Sequence, residues 1–236
     1  MMTLGVLIGN TNIKIGYVLD GVLVSRSYKN DSYDFSDIKH LPINNILLAS
    51  VVPNLIVPVN KFLTMLFGIQ ATIMVKEDIA LNLQRYDTRN IGIDRVLSCY
   101  GGCDVSGAFV VFDLGTAISV SVVNGARFFC GGAILPGVEM GLNALGNGTA
   151  LLPSLDISLV TDSVVIGDNT QSCLVSGAIH GTASMIEGMA QRIEAELGEP
   201  LQVIVTGGFA PYVVAQVQRP IIYRPHLTME GLLQLA

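Results

Sequence analysis

Positive charge is scarce in this chain of 236 residues. Lys and Arg number 13 against 19 Asp and Glu, which gives a formal net charge of −6 at pH 7. No run of basic residues occurs in the sequence, although nucleic-acid-binding proteins usually carry a basic patch or stripe. We therefore expect that nucleic acid is not a partner.

Long uninterrupted hydrophobic runs are also missing, although half of the residues are apolar. The longest candidate, residues 109–123, is broken by Asp113, Gly115 and several hydroxyl residues, whereas a membrane span needs roughly 18 or more apolar residues. We expect buried strands here and no membrane partner. The beginning, M-M-T-L-G-V-L-I-G-N, has no basic segment and no small-residue cleavage site. We therefore expect no signal peptide and a cytoplasmic location.

Cysteine and histidine are too few and too scattered to indicate a metal or redox centre. No two cysteines form a C-x-x-C pair, and the histidines form no ligand cluster. The cysteines stand among apolar or small residues, so we expect reduced thiols in the core. The cysteines are Cys99, Cys103, Cys130 and Cys173, and the histidines are His40, His180 and His226.

What the sequence does contain is an internal repeat. Residues 5–28 and 109–135 each begin with an apolar strand and a glycine turn that includes Thr. A second strand, a two-residue turn and a third strand follow in each. The two-residue turns, Asp20-Gly21 and Asn124-Gly125, favour type I′ hairpins. The pattern predicts a three-stranded antiparallel meander at the start of each half of the chain.

Helices and further strands follow each meander. The spacing of apolar residues predicts strands over 44–50, 71–75 and 201–208, and helices over 59–68 and 172–198. The order predicts two similar α/β domains that face each other across a cleft. We place the domains at 1–107 and 108–236, with the boundary in the small-residue stretch 100–108.

Four glycine turns suggest a site for phosphate. G-N-T-N (9–12) and D-L-G-T (113–116) occupy equivalent places in the two repeats, while G-G-A-I-L-P-G (131–137) and T-G-G (206–208) allow a ligand to approach bare backbone. Glycine lets backbone N–H groups reach an anion, and Thr adds a hydroxyl donor. A single glycine turn is usually structural, but four in repeated places indicate a nucleotide site.

This arrangement resembles the superfamily of actin, the heat-shock chaperone ATPases and the acetate and sugar kinases. Within it, the motifs are similar to those of the type III pantothenate kinases, in that family's order over nearly the whole chain. They are G-N-T-N (9–12), S-V-V-P (50–53), G-I-D-R (92–95), D-L-G-T-A (113–117), G-G-A-I-L-P-G (131–137), T-A-L-L-P (149–153), I-G-D-N-T (166–170), S-G-A-I-H-G (176–181), T-G-G (206–208) and H-L-T-M-E-G-L (226–232).

The resemblance implies a fold and an activity. The fold would be two domains of the actin-like ATPase, or ribonuclease H-like, type around a nucleotide cleft. The activity would be ATP-dependent phosphorylation of pantothenate to 4′-phosphopantothenate, the first step of coenzyme A biosynthesis. The family uses ATP with Mg²⁺ and a monovalent cation, K⁺ or NH₄⁺. It is dimeric, so the resemblance implies a homodimer.

Pantothenate-binding residues also follow from the resemblance. From the residues alone, Asp94 and Asp113 are equally good candidates for the general base, but the family's motif assigns that role to Asp94 of G-I-D-R. Gly92, Ile93 and Arg95 would hold pantothenate, and Arg suits a carboxylate because it can pair bidentately. The alternative is that Asp94 and Arg95 form structural pairs at the start of a helix.

Two further residues match pantothenate contacts of the family. Thr170 of I-G-D-N-T matches one of them. Tyr86 lies near the place of the family's substrate tyrosine, but it is one residue too close to Gly92, and Arg89 stands where the family has proline. The assignment of Tyr86 is therefore weaker than that of Thr170.

The resemblance also assigns the nucleotide and cation contacts. Asp113 matches the family's ligand for the monovalent cation. The expected ATP contacts are backbone and hydroxyl groups in three glycine turns, at Gly9, Asn10, Thr11, Asn12, Thr116, Gly207 and Gly208.

Two residues depart from the family's pattern. The family normally reads D-x-G-N-T-N, and Leu7 stands where that acid helps to organise magnesium and the phosphates. Ser121 stands where the family usually has Asp. Leucine cannot coordinate a metal or its water shell, so we expect weakened or altered catalysis.

Three hypotheses follow from these departures. The first is a working type III pantothenate kinase in which ATP itself holds most of the Mg²⁺. The second is a catalytically impaired homologue that binds nucleotide or pantothenate as a regulatory subunit, or in a heteromer with a relative that keeps the acid. The third is a kinase of the same fold for another small hydroxylated substrate.

Overall fold

The computed structural model describes residues 2–84, 86–157, 160 and 163–236. These residues form ten strands, six helices and several short 3₁₀ turns. The strands are β1 (Met2–Ile8), β2 (Asn12–Leu19), β3 (Val22–Lys29), β4 (Ile43–Ser50), β5 (Thr72–Ile73), β6 (Ala108–Leu114), β7 (Ala117–Val123), β8 (Phe129–Pro136), β9 (Leu201–Thr206) and β10 (Ile222–Tyr223). The helices are α1 (Pro53–Phe67), α2 (Ile93–Gly101), α3 (Val138–Gly148), α4 (Thr170–Leu197), α5 (Ala210–Val213) and α6 (Leu227–Leu233).

The chain forms two compact units. The first contains Met1–Asp104 together with His226–Ala236, and the second contains Val105–Pro225. The C-terminal segment with helix α6 therefore packs with the first unit, whereas the sequence analysis placed it in the second domain. The domain bounds 1–107 and 108–236 stay a prediction, because compactness alone does not define a domain.

Each unit contains one five-stranded sheet, and the two sheets have the same strand order. The first sheet runs β3-β2-β1-β4-β5 and the second runs β8-β7-β6-β9-β10. In both, three antiparallel strands form the predicted meander, and the first strand of the meander also pairs in parallel with a later strand. Helices flank both sheets, which agrees with the predicted α/β class. The shared order confirms the internal repeat.

The first sheet buries one face under α1 and the other under α6. Val6, Ile8 and Ile15 alternate along β1 and β2 and join Val59 and Leu63 of α1 in one core. The residues between them in the sequence, such as Gly5 and Gly16, point to the opposite face. There α6 packs directly against the backbone of these two glycines. A Cβ atom at Gly5 would come within 2.6 Å of the Met229 sulfur, and one at Gly16 within 2.4 Å of Met229 Cγ.

Helix α6 also lies very close to helix α2. A Cβ at Gly231 would come within 2.1 Å of the Leu97 carbonyl oxygen, and one at Gly101 within 2.7 Å of the Leu227 carbonyl oxygen. Only glycine permits this approach, so the two helices meet backbone to backbone. This contact holds the C-terminal segment in the first unit.

The second sheet buries its larger core under α4. Val110, Phe112 and Leu114 of β6 pack in one cluster with Ile186 and Ala190 of α4. The apolar stretch 109–123 thus forms the buried strands β6 and β7, as predicted. Within the described residues, no helix combines the length and the apolar character that crossing a membrane requires.

The two hairpin turns differ from each other. Asp20 and Gly21 have φ angles of 52° and 79°, which confirms the predicted type I′ turn. The two-residue turn predicted at Asn124-Gly125 is wrong, because β7 and β8 are joined by residues 124–128. The Asn124 Oδ1 atom accepts a hydrogen bond from the Phe128 N–H at 2.9 Å, and Arg127 takes the positive φ of 65°. The asparagine side chain closes the longer loop.

Helix α1 begins at Pro53, earlier than the predicted start at 59, because Pro53 suits the first turn of a helix. Helix α4 ends at Leu197, directly before Gly198, which has a φ of 69°. This agrees with the helix end predicted from that glycine.

All four cysteines are free. Cys99 is buried, but Cys130 and Cys173 are exposed, so the expectation that all four lie in the core is wrong.

Candidate active site

Two predicted motifs meet at one edge of the first sheet. Strands β1 and β4 are parallel neighbours, with Ile8 opposite Ser50. The Val51 N–H donates to the Ile8 carbonyl oxygen at 3.0 Å, directly after both strands end. The glycine turn 9–12 therefore lies beside the S-V-V-P segment. This carboxyl edge is where open α/β sheets usually bind ligands.

The turn at 9–12 is tight and open to solvent. The Gly9 N–H donates to the Asn12 carbonyl oxygen at 2.9 Å, and Asn10 and Thr11 are exposed. The exposed polar groups suit an anion. Asn12 begins β2, so the turn is anchored in the sheet on both sides.

Asn30 stabilises this turn by hydrogen bonds, and the sequence motifs did not predict this contact. Its Nδ2 atom donates to the Gly9 carbonyl oxygen at 2.9 Å and to the Asn10 carbonyl oxygen at 3.0 Å. Its backbone N–H donates to the Thr11 carbonyl oxygen at 3.3 Å. Asn30 follows the end of β3 and belongs to no quoted motif, so only the tertiary contact reveals it.

We expect Asn30→Asp to loosen the turn. A carboxylate cannot donate, and it would face two carbonyl oxygens that now accept hydrogen bonds. The expected loss is about 1–3 kcal/mol in the free energy of unfolding, measured by urea denaturation, together with weaker ATP binding.

Asn44→Asp is the matched control for this prediction. The Asn44 Oδ1 atom accepts a hydrogen bond from the Met2 N–H at 3.0 Å, and aspartate keeps that acceptor. The variant should remain close to wild-type stability. Equal stability of Asn30→Asp and Asn44→Asp would show that Asn30 does not hold the turn.

Leu7 occupies an apolar position next to the turn. It is 9% exposed and lies between Lys14 of β2 and Ala49 of β4 in the sheet register. The place where the family's motif carries an acid thus has no carboxylate, and a lysine stands directly opposite. The second departure, Ser121, is buried on β7 opposite Val111.

Asp94 lies at the start of α2, beside the same edge of the first sheet. Helix α2 begins at Ile93 directly after Gly92. A Cβ at Gly92 would come within 3.4 Å of Val51 Cγ1 and even closer to the Asp94 carboxylate. The side chain of Asp94 therefore occupies the space that glycine leaves. The carboxylate therefore lies near Val51, whose N–H is hydrogen-bonded to Ile8 at the end of β1.

Burial raises the pKa of the Asp94 carboxyl above its usual value. The backbone N–H of Arg95, which donates to Asp94 Oδ1 at 2.8 Å, and the positive charge of Arg95 oppose this rise. A carboxylate with a raised pKa is a better proton acceptor than an ordinary aspartate. Perturbed groups of this kind are common at active sites.

Arg95 and Tyr86 lie together. The guanidinium carbon of Arg95 is 6.0 Å from the centre of the Tyr86 ring, at the outer limit of a cation–π contact. Arg95 is 9% exposed and Ile93 is equally buried. The structure thus brings four of the predicted pantothenate residues and Tyr86 into one part of the first unit.

The second unit brings two of its glycine turns together. Asp113 stands near the end of β6, opposite Thr206 of β9. A Cβ at Gly207 would come within 2.6 Å of Asp113 Oδ1 and within 2.5 Å of the Leu114 nitrogen. Gly207 has a φ of 98°, so glycine is required there for space and for conformation. Gly208 is exposed.

Thr116 lies in the turn that follows Asp113. It is exposed, and a Cβ at Gly137 would come within 2.1 Å of its carbonyl oxygen. The turn 113–116 is therefore packed against Gly137 on one side and Gly207 on the other. The candidate cation ligand Asp113 thus lies against the bare backbone of Gly207.

Thr170 also belongs to the second unit. It is the first residue of α4 and is exposed. The preceding Asn169 caps the helix, since its Oδ1 atom accepts from the Ser172 N–H at 3.0 Å. The predicted residues thus form one group in the first unit and one in the second.

Comparison with known proteins agrees with the motifs. Residues 3–192 match the family model described as type III pantothenate kinase. The chain belongs to the type III pantothenate kinase family. This confirms the resemblance drawn from the motifs. A type III pantothenate kinase of Parafrankia sp. is 30% identical over 98% of this chain and 96% of its own length. One of Geobacillus kaustophilus is 31% identical over 95% and 93%.

The fold is shared more widely than the type III pantothenate kinase family. The crystal structure of an archaeal actin homologue superposes with a TM-score of 0.52 at 11% sequence identity, over 98% of both chains. At that identity the likeness concerns the fold alone. It confirms the predicted actin-like ATPase class.

Proposed function

We propose that the chain transfers the γ-phosphoryl group of ATP to the primary hydroxyl of pantothenate and forms 4′-phosphopantothenate. The observation that carries the proposal is the half-buried Asp94 carboxylate, whose pKa is raised, near Val51, which is hydrogen-bonded to the last residue of β1. The membership in the type III pantothenate kinase family and the names of its relatives support the substrate.

Pantothenate carries a carboxylate and a primary hydroxyl, and the first unit offers groups for both. Arg95 would pair with the carboxylate, and Gly92, Ile93 and Tyr86 would line the site around it. The family's motif also assigns a pantothenate contact to Thr170. Asp94 would then hold the reacting hydroxyl by accepting its proton.

The nucleotide would lie against the glycine turns. Gly9, Asn10, Thr11 and Asn12 would hold phosphate oxygens, Thr116 would add a hydroxyl donor, and Gly207 and Gly208 would admit the nucleoside to bare backbone. The carboxylate of Asp113 beside Gly207 suits a monovalent cation such as K⁺ or NH₄⁺. Mg²⁺ would arrive with the phosphates of ATP and would neutralise their charge.

The proposed reaction is an in-line displacement. The Asp94 carboxylate takes the hydroxyl proton as the pantothenate oxygen forms a bond with the γ-phosphorus. The bond from the γ-phosphorus to the bridging oxygen breaks, and ADP leaves with the electron pair. Positioning of the hydroxyl by Asp94 would act together with neutralisation of the phosphate charge.

The test is formation of phosphopantothenate by the purified chain with ATP and Mg²⁺, with and without K⁺, beside an active relative. Stimulation by K⁺ would support the role of Asp113. The proposal fails if no product forms under conditions in which the relative is active. A panel of small hydroxylated substrates tests the third hypothesis, a kinase for another substrate. That hypothesis requires one compound of the panel to be phosphorylated faster than pantothenate.

A second candidate function rests on Leu7. The buried leucine at the motif's acid position favours a catalytically impaired homologue that binds ATP or pantothenate beside an active relative. A homodimer, a heteromer with such a relative and a cytoplasmic location also remain proposals. Size measurement of the purified chain, alone and mixed with that relative, tests the two assemblies.

We expect Leu7→Asp to raise turnover with Mg²⁺ by about tenfold or more, because a metal-organising carboxylate stabilises the transition state. The variant should also lose about 1–3 kcal/mol of stability, because an apolar side chain is exchanged for a charge at a buried place. The measurements are kcat at several Mg²⁺ concentrations and urea denaturation.

Leu7→Asn separates charge from polarity at this position. It has the same shape as aspartate and should not raise turnover. A wild-type enzyme that is already fast, and unchanged by Leu7→Asp, would exclude the impaired homologue.

A further inference from the structure

We propose that Lys76 is a positioning residue for pantothenate. Its ammonium group closes the loop 74–92 on itself, and the closed loop holds the ring of Tyr86 beside the guanidinium group of Arg95. This inference rests on the proposed function, because it takes Tyr86 and Arg95 as pantothenate contacts. It gives a role to a lysine that belongs to none of the sequence motifs.

The loop 74–92 connects β5 to α2 and is long for a connection inside a compact unit. Three of its apolar side chains are buried: Ile79, Leu81 and Ile91. The described residues between the second and the third of them, 82–84 and 86–90, are all partly or fully exposed. Tyr86 lies in this stretch. Polar contacts are therefore needed to hold the stretch in one conformation.

Lys76 joins the beginning of the loop to this exposed stretch. Its Nζ atom donates to the Thr88 carbonyl oxygen at 2.5 Å, across 12 positions of the sequence. The same carbonyl oxygen accepts from the Ile91 N–H at 3.3 Å. Lys76 and Thr88 are both partly buried, and a hydrogen bond from a charged donor is stronger than one between neutral groups. The contact therefore closes the loop two residues after Tyr86.

Asp87 supports the closed end of the loop. Its Oδ1 atom accepts from the Arg89 backbone N–H at 3.1 Å and from Arg89 Nε at 2.9 Å. These hydrogen bonds from Arg89, and after them the positive charge of Lys76, lower the pKa of the Asp87 carboxyl. The ammonium group of Lys76 thus acts on Asp87 and Thr88, the two residues that follow Tyr86.

The closed loop places Tyr86 next to Arg95. The ring centre of Tyr86 is 6.0 Å from the guanidinium carbon of Arg95, which is buried on α2. An aromatic ring beside a guanidinium group restricts the orientation of its plane. Bidentate pairing with a carboxylate requires a fixed plane. Lys76 would therefore act on the pantothenate carboxylate through Tyr86 and Arg95, without touching the substrate.

The first test is steady-state kinetics of pantothenate phosphorylation by Lys76→Met. Loss of the ammonium group should raise KM for pantothenate about tenfold. The turnover number and KM for ATP should stay within about twofold of wild type, because a carboxylate far from the reacting hydroxyl is held equally in the ground state and the transition state. Lys76→Arg keeps a charged donor and should restore most of the affinity for pantothenate.

Amide hydrogen exchange in peptides that cover residues 86–91 gives a measure that does not depend on activity. The N–H groups of Arg89 and Ile91 donate inside the closed end of the loop. In Lys76→Met they should exchange about tenfold faster, because the loop opens locally more often. Lys76→Arg should exchange nearly as slowly as wild type.

Lys61→Met is the matched control, since Lys61 is an exposed lysine of α1. It should equal wild type in KM and in exchange. The inference is overturned, and the proposed function stands, if wild type phosphorylates pantothenate and Lys76→Met has the same KM as Lys61→Met, whatever its exchange rates are. If wild type forms no phosphopantothenate, the inference and the proposed function both fail. Thermal unfolding of each variant verifies that the kinetics refer to folded protein.

Discussion

Asp94→Asn is expected to lower kcat for pantothenate phosphorylation by about 10²–10⁴-fold, the range over which a positioned general base accelerates a reaction. Asparagine keeps the shape of the side chain and an oxygen for the Arg95 N–H, but it cannot take the hydroxyl proton. KM for ATP should change little, because in the proposed mechanism Asp94 contacts the acceptor hydroxyl and not ATP. Steady-state kinetics with each substrate varied gives both quantities.

The same substitution should stabilise the protein at neutral pH. Burial raises the pKa of Asp94 in the folded chain above the unfolded value of 3.8, so the folded state binds more protons in that interval. Stability therefore falls as pH rises from 3.8 through the folded pKa. The loss persists at higher pH, where the buried carboxylate is charged. Asparagine removes the loss, so the variant should unfold at a higher urea concentration at pH 7.

Asp34→Asn serves as the control with the opposite sign. Hydrogen bonds from Ser36 lower the pKa of the exposed Asp34 carboxyl. The charged form is favoured there, so the substitution should slightly destabilise the protein at pH 7. If Asp94 and Arg95 formed only a structural pair, Asp94→Asn would destabilise the protein and leave kcat nearly unchanged. That result would contradict the assignment of Asp94 as the base.

Local pattern was sufficient to predict most of the strands. The Asp20-Gly21 hairpin, the two meanders and the stop of α4 at Gly198 each depend on residues close in sequence, so a pattern of a few residues determines them. The turn at Asn124 was mispredicted because the dipeptide alone does not show the hydrogen bond from the Phe128 N–H to the asparagine side chain.

Contacts between distant parts of the chain could not be predicted in this way. The C-terminal helix α6 packs on Gly5 and Gly16, more than 200 residues away in sequence, and no local signal marks that contact. Asn30 was missed for the same reason, since its side chain donates to the carbonyls of residues 9 and 10, about 20 residues earlier in the sequence. The site residues that were found came from motifs, and their roles stay predictions.

Gly207→Ala is the second change with a large expected effect. Gly207 has a φ of 98°, and the added Cβ would come within 2.5 Å of the Leu114 nitrogen and 2.6 Å of Asp113 Oδ1. The Phe209 N–H donates to the Leu114 carbonyl oxygen at 3.0 Å, so the turn cannot move without breaking its attachment to the sheet. We expect a loss of about 2–5 kcal/mol in stability from backbone strain and overpacking.

Displacement of Asp113 should also abolish stimulation by K⁺ and weaken ATP binding by about tenfold or more. Gly198→Ala is the control that has backbone strain without steric overlap, because Gly198 has a φ of 69° but a Cβ there meets nothing within 4 Å. That control should lose only the roughly 1–2 kcal/mol of left-handed strain and keep its response to K⁺. If both variants lose the same stability and both still respond to K⁺, the close packing of Gly207 against Asp113 does not position the proposed cation ligand. Binding of the monovalent cation would then have to be assigned to another residue of the second unit.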